Sequence, residues 1–203
     1  MMNEEDIKNL LKEKYDNNEF KYDKKTNQKY IEIINANFIS ETGYIVFHNH
    51  HVTDDQWYID NYESLLGKQI DNVVKAIKKD PNTRQAYIGM LTPKGYWRNK
   101  DKICTIGMQV IYNQDTKTVD YIVNMRSNNV CEYTQDSLWQ TKIFTQIINR
   151  LITEVDKDIK PGKLYWNVGS LHLYEEDFNY LLNDNGAFRS LMNEIIKYKT
   201  NMK

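Results

Sequence analysis

Cys104 is the residue whose type and neighbours point most directly to covalent chemistry. It follows a loop carrying Lys94, Arg98, Lys100 and Lys102. Positive charge nearby lowers a thiol pKa and favours the nucleophilic thiolate. The competing reading is a small buried hydrophobe, a common use of cysteine. Cys131 has no such setting and reads as structural. Arg126-Ser127-Asn128-Asn129 sets a guanidinium beside a hydroxyl and two amides. Guanidinium and hydroxyl can donate to one cluster of oxygens, a usual grip on phosphate; a strand-end arginine that merely faces solvent has the same sequence. His172 and Tyr174 stand two apart in SLHLY, so a strand puts both on one side. They could bond one ligand together or form a satisfied core pair. His48, His50 and His51 offer imidazoles, but a metal needs a third or fourth ligand, and Asp54 and Asp55 are only nearby in sequence. No metal site is assigned.

Hydrophobic periodicity supplies the elements that must position these groups. Ile7, Leu10, Leu11 and Tyr15 share one face of a helix over 4–17. Segments 29–38 and 44–48 read as strands, with Gly43 in the turn between them. A helical period runs through 61–79 and stops before Pro81. Segments 85–91, 103–112 and 118–126 are β-rich, and the turn Asn113–Lys117 joins the last two as a hairpin. Cys104 therefore falls within a predicted strand. Apolar pairs recur every fourth residue or so over 136–155, which predicts a central helix with apolar residues on two sides. Segment 163–174 is a strand, followed by helical stretches near 176–183 and 188–198. Strands clustered between helices predict an α+β fold, a mixed sheet with helices packed on one face.

Composition bounds the answer. The chain has 203 residues, 40% hydrophobic and 27% charged, enough for one domain with a real core, read as 1–203. Lys+Arg 27 against Asp+Glu 28 gives no basic excess for nucleic-acid binding. No apolar run approaches the ~20 residues of a membrane span. The opening MMNEEDIKNL carries no readable secretory signal, and two cysteines are too few for a disulfide framework. The expectation is a cytoplasmic protein that contacts neither membrane nor nucleic acid.

Five segments in order resemble the thymidylate synthase superfamily, and within it the phage deoxycytidylate hydroxymethylases. They are DPNTRQ (80–85), ICTIGMQ (103–109), NMRSNNV (124–130), DSLWQ (136–140) and WNVGSLHLY (166–174), extended more faintly by IEIINANF (31–38). The resemblance implies a thymidylate synthase-like fold and a pyrimidine nucleoside monophosphate as ligand. Cys104 would be the nucleophile that adds to C6 of the ring, making C5 reactive toward a one-carbon unit. Arg126 and Ser127 would hold the phosphate. Arg84 would reach that phosphate from the other subunit of a homodimer. His172 and Tyr174 would contact the sugar 3′-hydroxyl, and Gln109 would line the site beside the nucleotide. The implied one-carbon donor is 5,10-methylenetetrahydrofolate, although the segment that carries much of its pocket in the family is cut short here around 48–62.

Asp136 decides the base in this reading. An amide matches uracil, whereas a carboxyl group accepts from the 4-amino group of cytosine and, when protonated, donates to N3. The resemblance therefore implies a C5-modifying enzyme of the dCMP hydroxymethylase kind, with Cys104 and Asp136 as catalytic groups. Asp136 could also simply cap the long helix. Two other functions share the same residues: a folate-independent modifier of a pyrimidine nucleotide, and a catalytically degenerate nucleotide-binding homologue.

Overall fold

Asn3 starts the first helix by a reciprocal pair of hydrogen bonds. Its Oδ1 accepts the Asp6 N–H at 2.8 Å, and an Asp6 carboxylate oxygen accepts the Asn3 N–H at 2.8 Å. Two donors at the open end of the helix are thereby satisfied. This α1 spans Glu4–Asp16. In the computed structural model, which describes residues 1–40, 55–90 and 103–178, it is followed by β1 (Lys21–Asp23) and β2 (Gln28–Ser40). Then come α2 (Asp55–Lys79), β3 (Tyr87–Gly89), β4 (Thr105–Asn113), β5 (Thr118–Met125) and β6 (Asn128–Asn129). A short 3-10 turn over Val130–Glu132 leads into α3 (Tyr133–Glu154), and β7 (Lys160–Tyr174) runs on into a last 3-10 turn, Glu175–Asp177.

The strands form one sheet in the order β1-β2-β7-β5-β4-β3, with β6 added beside β7. β5 and β7 run parallel, which the crossover helix α3 permits, while the β4–β5 hairpin and the β2–β7 pair are antiparallel. The sheet is therefore mixed, and the α+β expectation holds. Alternation divides its two faces. Ile31, Ile33, Phe38, Val110, Tyr121, Val123, Trp166 and Leu171 are buried in one core with Leu11 of α1, Val74 of α2 and Ile147 of α3. The opposite face carries Tyr30, Glu32, Asn124, Asn167, His172 and Tyr174, half-buried, together with exposed Ile34, Tyr87 and Ile111. No helix among the described residues is long and apolar enough to cross a membrane.

Several boundaries differ from those the sequence predicts. β4 begins at Thr105, so Cys104 stands just outside the strand, next to an irregular register between Thr105 and Gly107. α2 begins at Asp55, six residues before its apolar period becomes regular. α3 begins at Tyr133, so Asp136 lies within its first turn and is not its cap. The apolar pairs of α3 also form one broad stripe rather than two sides: Trp139, Ile143, Phe144, Ile147, Ile148 and Leu151 are buried while Lys142, Thr145, Gln146 and Asn149 are exposed. Adjacent residues repeated every four positions widen a single face, because four residues nearly complete a turn. β1 was invisible to periodicity at three residues. The strand expected over 44–48, the histidine cluster, the loop with Lys94 and Arg98, and the segments beyond 178 lie outside the described residues.

A buried polar chain ties the central helix to the sheet beside Cys104. The Tyr121 hydroxyl donates to Gln140 Oε1 at 3.0 Å, and Gln140 Nε2 donates to Thr105 Oγ1 at 3.3 Å. Gln140 is wholly buried, and burial pushes the Tyr121 phenol well above its ordinary pKa. Replacing Gln140 by the similarly sized Met would strip Tyr121 of its acceptor. The expected cost is about 1–3 kcal/mol per buried group left unpaired. Urea denaturation of Gln140→Met checks this through a lower midpoint at unchanged slope.

Candidate functional site

The site assembles where β4 begins, β5 ends and β7 passes both. Cys104 is half-buried, and its carbonyl oxygen accepts the backbone N–H of Arg126 at 2.9 Å. The Arg126 carbonyl in turn accepts the N–H of Ser170 on β7 at 3.1 Å. One peptide segment therefore joins the segment of Cys104 to that of His172. Gly169 allows the approach, since a Cβ there would stand 2.8 Å from the Arg126 carbonyl oxygen. The Arg126 side chain turns back, with Nε donating to the Ile103 carbonyl at 3.3 Å.

From this junction the chain runs directly into β6, which lies parallel to β7 with Asn129 opposite His172. Ser127 Oγ comes within 3.4 Å of His172 Nδ1. Ser127, Ser170, His172 and Tyr174 form one wall of a pocket of about 300 Å³, and Tyr22, Asp23, Lys24 and Tyr30 form the other. Asn128 points the other way, buried, and its Nδ2 donates to Asp136 Oδ2 at 2.7 Å. Asp136 is thus oriented by the residue after Ser127. Asn128 Oδ1 has no hydrogen-bond partner among the described residues.

Of the residues singled out from the sequence, Ser127, His172 and Tyr174 line this pocket, while Cys104, Arg126 and Asp136 are attached to it through the hydrogen bonds above. Arg84 and Gln109 are not brought to it within one chain. Gln109 faces the side of the sheet away from the helices, and its Nε2 donates to the Arg84 carbonyl at 3.3 Å. It stands five positions along the chain from Cys104, roughly 15 Å in extended backbone. The residues of the His48 cluster are outside the described set.

Sequence reasoning missed the opposite wall. Alternation along 29–38 already puts Tyr30 and Glu32 on the face of His172, and the register confirms it: Tyr30 pairs with Tyr174 and Glu32 with His172. Asp23 had no such signal, because its strand is three residues long.

The charges are arranged unevenly. Burial pushes the His172 imidazole below its ordinary pKa, and the Arg126 charge acts the same way, against a backbone bond to Ser170 and the charges of Glu32 and Asp23. His172 is thus neutral near pH 7, with one ring nitrogen donating and the other accepting. The Lys25 N–H and then the Tyr174 hydroxyl hold the Asp23 carboxyl below its usual range. Burial would raise Glu32, yet bonds from Lys21 and the Ser170 hydroxyl outweigh it and keep its pKa low. The pocket therefore offers hydroxyl, imidazole and carboxylate groups on the β7 and β1 side. Arg126 and Lys24 supply the positive charge. Such a set suits a small polar ligand that carries hydroxyl and anionic groups.

A sequence model of the thymidylate synthase family matches residues 10–185. The deoxycytidylate 5-hydroxymethyltransferases of Enterobacteria phages T4, T2 and T6 are each 30% identical to this chain over 129 residues, covering 60% of it. The chain spans about half the length of these relatives, with 50% of each covered.

The lowered pKa of His172 fixes the sign of a pH dependence. Below the ordinary value of 6.5 the unfolded chain takes up a proton that the folded imidazole resists. Its contribution to stability is whole above that value and is lost as pH falls from it toward the folded pKa. Thermal denaturation of wild type and His172→Gln from about pH 8 to 5 should show the steeper decline in wild type. Parallel profiles would contradict the assignment.

Proposed function

Because the chain belongs to the thymidylate synthase family, we propose that it is a one-carbon transferase acting at C5 of a pyrimidine nucleotide, with dCMP as substrate and 5-hydroxymethyl-dCMP as product. The observation that carries this reading is the Arg126 peptide, which joins a cysteine segment to a pocket lined by Ser127, His172 and Tyr174. In this reading residues 1–203 act as one domain.

The Cys104 thiolate adds to C6 of the ring, and the C5–C6 π electrons move to C5. The carbon unit comes from a second substrate, 5,10-methylenetetrahydrofolate. C5 bonds to that carbon; loss of the C5 proton then breaks the carbon–nitrogen bond to the donor, releasing tetrahydrofolate and leaving an exocyclic methylene. The sulfur then leaves C6 as water adds to the exocyclic carbon, which restores the aromatic ring and a free thiolate. Splitting one difficult substitution into these steps is what a covalent nucleophile contributes. Arg126 and Ser127 hold the phosphate, a bidentate and charge-assisted task. His172 and Tyr174 meet the sugar hydroxyl. Asp136, oriented by Asn128, accepts from the 4-amino group of cytosine and shares a proton with N3.

The phosphate grip is completed by Arg84 of a second copy. The helix-free face of the sheet exposes Ile34 (63%), Tyr87 (45%) and Ile111 (41%), apolar surface that a homodimer would cover. Arg84 lies beside this face through its bond from Gln109. Sedimentation at the protomer mass in the presence of dCMP would remove the dimer from the proposal.

Tritium release from 5-tritiated dCMP tests the chemistry. With methylenetetrahydrofolate the wild type should release tritium to water. Cys104→Ala should abolish release while calorimetry still detects dCMP. Asp136→Asn should move preference from dCMP toward dUMP by about 1–3 kcal/mol, the cost of a mispaired buried polar group. Absence of release from the wild type, with or without the donor, would refute the reading.

A further inference from the structure

Asp23 takes no part in the reaction just described, yet its carboxylate is fixed at two points on the rim of the pocket. One oxygen accepts the Lys25 N–H at 2.8 Å, closing the turn of the β1–β2 hairpin, and the other accepts the Tyr174 hydroxyl at 2.9 Å. The hairpin turn is set by Asn27, whose φ of 61° lies in the left-handed region. Asp23 is therefore held by its own loop and also spans to β7. Glu32 on β2, opposite His172, is likewise gripped at two points, by Lys21 and by the Ser170 hydroxyl. Both carboxylates act electrostatically on His172, as does Arg126 with the opposite sign.

Two consequences follow for a ligand. The Tyr174 proton is directed to Asp23, so the phenol oxygen meets a ligand hydroxyl as an acceptor. Asp23 also sets a carboxylate beside Tyr174, while Arg126 acts on His172 with the opposite charge. A ligand carrying one phosphate enters with that phosphate toward Arg126. A second phosphate on its sugar would face Asp23, and like charges so placed repel.

We propose that Asp23 is a specificity-determining residue which restricts the pocket to nucleotides whose sugar hydroxyl is unesterified, so that it takes free 5′-monophosphates and rejects 3′-phosphorylated nucleotides and residues within a polynucleotide. This rests on the nucleotide reading above. Asp23 achieves it by holding Tyr174 as the acceptor for that hydroxyl and by placing a fixed negative charge where an ester phosphate would lie.

Calorimetry with dCMP and with deoxycytidine 3′,5′-bisphosphate tests it. Wild type should prefer dCMP by about tenfold or more, the scale of a facing like-charge penalty. Asp23→Asn removes the charge; its one oxygen can keep the turn by accepting the Lys25 N–H, while its amide nitrogen donates to the Tyr174 oxygen and frees the phenol proton. It should bring the affinities for the two ligands toward parity. Tyr174→Phe should lose the ability to tell dCMP from its 2′,3′-dideoxy analogue. An unchanged preference in Asp23→Asn, or a wild type that binds the bisphosphate as tightly as dCMP, would overturn the role of Asp23 alone. A wild type that binds neither ligand would overturn the nucleotide reading and this inference with it.

Discussion

The backbone of Arg126 bonds in two directions, its N–H to the Cys104 carbonyl and its carbonyl to the Ser170 N–H. The start of β4, the end of β5 and the middle of β7 converge there, which brings the segments of Cys104, Ser127 and His172 together. The junction costs side-chain freedom nearby. Gly169 has no room for a Cβ against Arg126, and Gly107 has none against the Ile88 carbonyl, where a Cβ would stand at 2.6 Å. Backbone bonds of this kind position groups without relying on flexible side chains, which is how a scaffold holds reacting atoms in register.

Behind the junction the protein is apolar and well packed. Trp166 is wholly buried, its ring 6.1 Å from Phe38 in a stacked pair and 4.9 Å from Tyr133 edge-on. Tyr133 opens α3, so the same packing that closes the core sets the helix from which Asp136 projects. Gln140, one turn further on, reaches through the core to Thr105, the neighbour of Cys104. The segments of Asp136 and Cys104 are thus registered to each other through the helix as well as through the sheet. The other face of the sheet keeps its polar groups at the pocket end and apolar ones, Ile34, Tyr87 and Ile111, exposed elsewhere. One sheet supplies a core, a pocket wall and an exposed apolar surface.

The long periodic elements could be read from the amino-acid pattern because burial imposes the pattern. α1, β2, α2, the β4–β5 hairpin, α3 and β7 all occur where the apolar spacing places them. Ends were less legible, since they depend on backbone partners that no spacing records. Cys104 was placed inside a strand, but the irregular register at Thr105–Gly107 delays regular pairing by a residue. Within the candidate site, His172 and Tyr174 were readable from alternation, and Ser127 and Arg126 from their chemistry. Asp23 was not: its contact with Tyr174 joins residues 151 apart, and only the strand order makes them neighbours. The pairing of Asn128 with Asp136 was missed for a simpler reason, because a buried amide in a polar tetrapeptide looks like one more surface residue.

The account stands or falls on whether the sulfur of Cys104 bonds to a bound pyrimidine. 5-Fluoro-dCMP reports this directly, because its fluorine cannot leave C5 as the proton does and the adduct persists. Incubated with the protein and methylenetetrahydrofolate, then denatured and digested for mass spectrometry, it should leave its mass on the peptide containing Cys104 and none on the peptide containing Cys131. Nucleotide that occupies the pocket by calorimetry yet leaves both peptides unmodified would contradict the central claim.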